Sequence, residues 1–322
     1  RSNYKRHTNF AQTVERQVIQ GNPSSNGMST VRFERKGDML GYVYLTPVGS
    51  DGATQEYSAA DLAAQINKVE LLIGGQVIDT QDSTFSMDLA PITMSQNLTK
   101  STTGFAGKNG KFYPLRFSFC ENAQSALPLV ALQYHDVEVR INWGTLNGDS
   151  SRWECFSQFI HLDTDERTSL SSTPQNMIIT QTQKAIASDS RIQELSFNHP
   201  MKYLVAKTTG SSDLTSAGNK IKLQINGTDV TDFRDADPHF TAIPMYYHTQ
   251  SSVSAGNHNV STLLVPFCID TSKHQPTGSL NFSRLDSARI LSDTQNNGSD
   301  VYGVNYNILR IENGMGGLMY SN

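Results

Sequence analysis

Apolar and polar residues alternate along much of this chain. Val137, Val139 and Ile141 are interleaved with Glu138 and Arg140, the period of a half-buried strand. Leu71, Ile73 and Val77 flank a Gly74-Gly75 turn, and Leu204–Ala206, Ile221-Leu223-Ile225 and Ile308–Ile311 predict further strands. Six Asn-Gly dipeptides begin at Asn26, Asn109, Asn147, Asn226, Asn297 and Asn313. Asn-Gly accepts positive φ at little cost, so these pairs predict tight turns, with some in longer loops. Long helical periodicity is scarce. The one helical candidate runs from Ser58 to Ile66, with Ser58 as cap and Asp61 in the first turn. Many short strands joined by polar turns predict an all-β sandwich or barrel.

The strands repeat. Lys68-Val69-Glu70-Leu71-Leu72-Ile73-Gly74-Gly75 resembles Lys220-Ile221-Lys222-Leu223-Gln224-Ile225-Asn226-Gly227, 152 positions later. Phe119-Cys120 and Pro128 match Phe267-Cys268 and Pro276 at an offset of 148. Phe159-Ile160-His161-Leu162 lies near the counterpart of Ile308-Leu309-Arg310-Ile311. Any one match is weak, because alternating strands resemble one another. Their collinearity predicts two copies of one β domain. A unit of this length is too long for a solenoid repeat and right for one sandwich. The boundary falls in the polar stretch from about Thr168 to Ser190 and is set at 175/176, giving domains 1–175 and 176–322.

Composition narrows the function. The 322 residues are 37% apolar, enough for a full core. No apolar run reaches the roughly 18 residues of a membrane helix. Lys and Arg number 26 against 30 Asp and Glu, a net charge of −4, which disfavours a basic nucleic-acid binder. Only 17% of residues are charged. Ser, Thr, Asn and Gln carry much of the polar surface, which suits large neutral contact faces. Cys120, Cys155 and Cys268 are odd in number and form no C-x-x-C pair, so a disulfide framework or zinc site is improbable. Cys120 and Cys268 lie in apolar strand-like runs and read as buried, reduced thiols. The chain opens Arg1-Ser2-Asn3, which reads as the edge of a fragment.

Candidate chemistry is sparse. Asp163-Thr164-Asp165-Glu166 has the D-x-D form of a metal ligand pair, but it lies at the end of a strand and reads as a solvated terminus. Asp235-Ala236-Asp237-Pro238-His239 gathers metal-capable side chains in what reads as a loop. His135-Asp136 stands without a G-x-S-x-G elbow, and no H-E-x-x-H or phosphate loop is present. No catalytic residue, metal or cofactor is expected. Sequons occur at Asn97, Asn226, Asn259, Asn281 and Asn297. Asn226 falls in a turn and Asn281 in a strand, which leaves Asn97, Asn259 and Asn297 as surface glycosylation candidates.

Several strings are more specific. Tyr4-Lys5-Arg6-His7-Thr8-Asn9-Phe10-Ala11 opens the chain, and Ala126–Val137, Leu162–Arg167 and Phe197–Leu204 follow. Near the end come P-x-G-x-x-N-F-S-R-x-D over Pro276–Asp286 and N-Y-N-x-L-R-I-x-x-G-M-G-G-L over Asn305–Leu318. Together they closely resemble the major capsid proteins of nucleocytoplasmic large DNA viruses, of the algal-virus and iridovirus type. The resemblance covers nearly the whole chain.

It implies a double jelly roll: two tandem eight-stranded antiparallel sandwiches with short helices in the loops. It implies a homotrimer with a pseudo-hexagonal outline, since three subunits of two similar domains present six similar units. Lattice contacts between trimers, minor capsid proteins and an inner membrane beneath the shell are the implied partners, with no direct nucleic acid. Synthesis in the host cytoplasm and residence in the virion shell follow. The basic residues Arg1, Lys5, Arg6 and Arg16 are candidates for the membrane side, against the plainer reading of a solvated terminus. The chain is short for the family, which implies either short loops and a low tower or loop segments left out of this sequence. Under the resemblance Pro276 and Gly278 form a turn setting the register of a strand that bears Phe282. Arg284 and Asp286 share one face of that strand as a structural ion pair. Gly314, Gly316 and Gly317 allow close backbone approach. The alternatives are a minor or penton-type jelly-roll capsid protein, and a carbohydrate-binding jelly roll, which needs exposed aromatics such as Trp143 or Trp153.

Overall fold

The computed structural model describes residues 1–5, 7–94, 110–148, 152–208, 212–250 and 262–321. The first nine strands are β1 (Phe10–Gln17), β2 (Ile19–Gln20), β3 (Met28–Arg32), β4 (Met39–Val48), β5 (Ile66–Ile73), β6 (Gln76–Asp82), β7 (Tyr113–Pro114), β8 (Val137–Trp143) and β9 (Arg152–Leu162). They form two sheets, in the orders β1-β9-β4-β7 and β2-β3-β8-β5-β6. The later strands are β10 (Gln175–Ala185), β11 (Ile192–Glu194), β12 (Pro200–Lys207), β13 (Lys220–Ile225), β14 (Thr228–Asp229), β15 (Arg234–Asp235), β16 (Thr262–Pro266), β17 (Leu280–Asn281), β18 (Ala288–Ser292), β19 (Val301–Glu312) and β20 (Met315–Leu318). These again form two sheets, β10-β19-β12-β16 and β11-β18-β13-β14. Strands β17 and β20 add to the first of these sheets and β15 to the second.

The two halves share one connection pattern, strand for strand. With β2, β15, β17 and β20 set aside, each half has eight strands, one sheet in the order first-last-third-sixth and the facing sheet in the order second-seventh-fourth-fifth. All pairs are antiparallel. This is the double jelly roll. The repeat lands on it: Lys68–Gly75 is β5 with its turn, and Lys220–Gly227 is β13 with its turn. Both turns carry two consecutive positive φ values, at Gly74 and Gly75 and at Asn226 and Gly227, the requirement of a two-residue hairpin. Asn313-Gly314 closes β19 onto β20 in the same way.

Strand alternation builds the cores. Val137, Val139 and Ile141 point inward from β8 while Glu138 and Arg140 face out. Leu40, Val43 and Leu45 of β4 meet Val69, Leu71 and Ile73 of β5 in the first core. Leu204, Ala206, Ile221, Leu223, Leu263 and Ile290 fill the second. Trp143 and Trp153 lie in the first core with ring centroids 5.4 Å apart, so neither is the exposed aromatic a glycan platform needs.

The helices are α1 (Ala59–Ala64), a π-helical turn (Phe85–Leu89) running into α2 (Ala90–Thr93), α3 (Ser118–Glu121), α4 (Thr164–Ser172), α5 (Ala236–His239) and α6 (Ala242–His248). Ser58 caps α1 by accepting from the Asp61 amide at 3.1 Å. The helix ends two residues before the expected Ile66, which instead opens β5. Cys120 is in α3 and Cys268 follows β16, so neither is in the expected strand. All three cysteines are free thiols, and burial pushes the Cys155 thiol up to about 12.

Candidate functional site

The residues singled out for enzyme chemistry are absorbed by structure. Asp163 caps α4, accepting from the Thr164 amide at 2.8 Å, and Asp165 and Glu166 occupy the first turn, where negative charge suits the helix dipole. Asp136 pairs with Arg32 at 2.6 Å. His135 Nδ1 lies 3.0 Å from the Gly316 carbonyl oxygen. Among the described residues no three His, Cys, Asp or Glu side chains gather as a metal site.

Other expectations need correction. Phe282 is not in a strand: β17 ends at Asn281, and Phe282–Arg284 is a 3₁₀ turn. Arg284 and Asp286 are therefore not strand neighbours on one face. Both are exposed, and they form no ion pair among the described residues. Phe282 itself is buried against Phe197 and Phe267. Asn297 is fully buried, and its amide donates to Gln193 Oε1 at 2.5 Å, so it is no surface acceptor for a glycan. Asn97, Asn259 and Arg6 lie outside the described residues. Arg1 and Lys5 are exposed, while Arg16 pairs with Glu154 at 3.1 Å.

What the fold does build is a long seam between the sandwiches. Gly278 lies apart from it, within the second sandwich, with φ +139 and room for no Cβ, which would meet the Phe267 carbonyl oxygen at 2.8 Å. A Cβ on Gly316 would stand 2.7 Å from Leu132 Cδ2. Strand β20 thus lies against the first sandwich, and Ile179, Leu309 and Ile311 join the first core. The Asn305-Tyr306-Asn307 string supplies amides at 3.2 and 2.9 Å to Gln181 Oε1. Gln181 in turn donates to the Ile78 carbonyl, and Asp79 accepts from the Thr182 amide at 2.9 Å. Burial pushes the Asp79 carboxyl up to about 7, against the pull of those hydrogen bonds. Lys184 pairs with Asp82 at 3.3 Å and Asp300 at 3.0 Å.

Beside this seam, the segment after β6 crosses onto the second sandwich. Asp82 Oδ1 accepts from the Phe85 amide at 2.9 Å and fixes the start of the turn. Phe85, Leu89, Ala90 and Ile92 then pack on Tyr203, Val205, Leu264, Tyr302 and Val304. These five residues form the outer face of the sheet β10-β19-β12-β16, the side opposite its own core. Tyr203 donates to Thr93 Oγ1 at 2.9 Å, and Lys207 pairs with Asp88 at 2.8 Å. The outer face of the second sandwich is therefore sealed by a segment of the first.

The corresponding face of the first sandwich has no such cover among the described residues. Tyr44 stacks on Phe156 with centroids 5.4 Å apart and touches Tyr42 and Phe112 at 6.3 and 6.1 Å. Tyr42 and Phe112 are exposed, and Tyr44 and Phe156 half-buried. At the far end of the molecule's second repeat, α6 presents Tyr246 and Tyr247 at 74% and 72% exposure. Alternation placed Tyr42, Tyr44 and Phe156 outside their core, but no sequence feature distinguished this face from a solvated one.

Comparison with known proteins agrees with this architecture. The family described as "Major capsid protein N-terminus" matches residues 1–205. That described as "Large eukaryotic DNA virus major capsid protein" matches residues 166–317. The major capsid protein of Pyramimonas orientalis virus is 30% identical over 375 aligned positions, covering 99% of this chain and 92% of the relative. That of Paramecium bursaria Chlorella virus 1 is 27% identical over 416 positions, covering 99% and 93%. Both alignments exceed 322 positions, so these relatives carry segments this chain lacks. Among solved structures, the PBCV-1 protein VP54 superposes with a TM-score of 0.78 at 24% identity, over 100% of this chain and 99% of that one. The Faustovirus major capsid protein does so with a TM-score of 0.63 at 11% identity, over 97% and 92%. With a family match across well over half its length and a relative at 30% identity along nearly all of it, this chain belongs to the major capsid protein family of large eukaryotic DNA viruses.

Proposed function

We propose that this protein is the structural building block of an icosahedral shell around a large double-stranded DNA genome, and that three copies form a pseudo-hexagonal capsomer. The observation that carries this reading is the strand-for-strand repetition of one jelly roll within one chain. Two similar units per subunit and three subunits present six similar edges, which tile a flat hexagonal lattice. A five-fold vertex needs only one such unit per subunit, so the minor or penton-type reading is less apt. The burial of Trp143 and Trp153 weighs against the glycan-binding reading.

The two units divide at 175/176, after α4 and at the start of β10. The role is mechanical and needs neither cofactor nor catalysis. Function resides in surfaces: a trimer interface of several thousand Å², in the manner of obligate assemblies, and polar rims between trimers. Minor capsid proteins and an inner membrane are the further partners, with Arg1, Lys5 and Arg16 as candidates for the membrane side. The protein is made in the host cytoplasm and resides in the virion. Asn97 and Asn259 are the remaining glycan acceptors.

Light scattering on the purified chain tests the reading. A species of three times 35.5 kDa is expected, with hexagonal outlines by electron microscopy. A chain that stays at 35.5 kDa at high concentration overturns it.

A further inference from the structure

We propose that a small cavity at Lys202, between the two sandwiches, is a binding site for one tetrahedral oxyanion of the size of inorganic phosphate or sulfate. The site lies within one chain and does not depend on the capsomer reading.

Strand β12 creates it. Regular alternation would put Met201 and Tyr203 on one face and Lys202 on the other. The register instead shifts between Met201 and Tyr203, so Met201 stays in the second core while Tyr203 faces out. A register shift of this kind re-aims side chains. Lys202 and Tyr203, although consecutive, both line one cavity of about 40 Å³. A single water needs roughly 10–15 Å³ on the same measure. The space therefore suits a compact ion and is too small for a nucleotide or a sugar. Thr271 and His274, after β16, form a second wall, and Ser118, Glu121 and Asn122 of the first sandwich form a third.

The charge in this cavity is not balanced. Lys202 is 5% exposed. Its Nζ donates to the Lys273 carbonyl oxygen at 2.8 Å and lies 5.7 Å from the centroid of the Tyr306 ring. Among the described residues no carboxylate comes within ion-pair distance of it. The nearby acids are held elsewhere. Asp270 Oδ1 accepts from the Ser272 amide and hydroxyl at 2.9 and 2.7 Å, and its Oδ2 accepts from Gln250 at 2.9 Å. Glu121 pairs with Arg116 at 3.3 Å. Burial pushes the Lys202 ammonium down to about 8, so it still carries its charge at neutral pH. An ammonium with one carbonyl partner keeps two N–H donors. Water in the cavity would meet those donors without balancing the charge, and a buried charge without a counter-charge is costly.

The other walls supply donors too. Thr271 is 1% exposed, and its hydroxyl has no hydrogen-bond partner. Burial and the Lys202 charge push the His274 imidazole down, so at neutral pH the ring is uncharged and offers one N–H. Asn122 Oδ1 accepts from the Gln124 amide at 3.0 Å, which leaves its NH₂ group to donate. Ammonium, hydroxyl, imidazole N–H and amide N–H from both sandwiches make a donor set for an oxyanion, whose charge strengthens each bond.

Equilibrium dialysis of the full chain against radiolabelled sulfate, at neutral pH and constant ionic strength in sodium chloride, tests the site. Saturable binding of one ion per chain is expected, displaced by inorganic phosphate and not by chloride. Lys202→Met keeps the packed stem and removes the charge, and should weaken binding by about tenfold or more. Thr271→Val exchanges the unpartnered hydroxyl for a methyl, and should weaken binding by about threefold while leaving the urea midpoint in chloride unchanged. Sulfate should also raise the urea midpoint of wild type more than that of Lys202→Met, since its general salting effect acts on both and only site binding differs. Absence of saturable binding to wild type overturns the site. So does binding that Lys202→Met leaves unchanged, or that Thr271→Val leaves unchanged if the lysine variant does not fold. A chain that binds sulfate in this way yet stays monomeric overturns the capsomer reading and upholds the site.

Discussion

The two sandwiches present the same sheet face in opposite states. In the second, Tyr203, Val205, Leu264, Tyr302 and Val304 are sealed beneath Phe85, Leu89, Ala90 and Ile92. In the first, Tyr42, Tyr44, Phe112 and Phe156 meet solvent. Residue choice follows the state. The sealed face includes Val and Leu, which gain most from full burial. The open face is Tyr and Phe, with Tyr44 stacked on Tyr42 and Phe156, a choice that tolerates partial exposure because the ring is apolar and the Tyr tip polar. A duplicated fold thus need not have duplicated surfaces. One copy of the face became part of the chain's own packed interior, and the other stayed exposed.

The largest expected effect is on the sealed side. Phe85→Ala removes a fully buried ring that lies tilted against Tyr302 and should destabilise the chain by about 3–5 kcal/mol, measured by urea unfolding. A loss below about 1 kcal/mol would mean that the cover is a loose surface segment and that the comparison fails. Next comes the seam that holds the cover's base. The folded chain retains a proton on Asp79 up to about pH 7, whereas the unfolded chain releases it near 3.8. Its contribution to stability is therefore fully present below about pH 4 and is lost as the pH rises to about 7. Wild type should lose stability relative to Asp79→Asn across that window and run parallel to it above. Parallel curves throughout would remove the assigned burial.

Smaller effects follow. Gly316→Val drives a branched side chain into Leu132 and Ile73. A cost of about 1–3 kcal/mol in unfolding free energy is expected from overpacking, together with loosening of β20 by hydrogen exchange. Gly227 has open space around it but a φ of +76, so Gly227→Val should cost about 1–2 kcal/mol through the backbone alone and lower soluble yield. Wild-type stability from that variant would remove the hairpin assignment. Smallest of all, Tyr44→Ala should change the stability of the chain's own fold by less than about 1 kcal/mol in urea unfolding. The contrast between Tyr44→Ala and Phe85→Ala is the sharpest form of the comparison.

Much of the fold was legible because strand alternation is a local property. Val137–Ile141, the Gly74-Gly75 and Asn226-Gly227 turns and the Ser58 cap all formed as their residues dictate. The repeat was legible because equivalent strands need equivalent patterns. Errors arose where the local pattern was ambiguous. Phe282–Arg284 has the apolar-polar rhythm of a strand, but Asn281 accepts from the Ser283 amide at 3.0 Å and turns the chain. Asn297 stays a surface candidate in the sequence only because no strand or tight turn claims it, yet Gln193 and Ser299 meet its amide inside the fold.

The sequence by itself determined that there are two similar β units, where most of their strands lie and which family they resemble, because alternation, turn chemistry and specific strings are written in neighbouring residues. Only the tertiary structure decided which outer faces are covered. Phe85 and Tyr302 are more than two hundred positions apart, and nothing local to Tyr44 or Tyr203 marks one as open and the other as sealed. That difference depends on where a segment from the other sandwich comes to rest, which no run of neighbouring residues encodes.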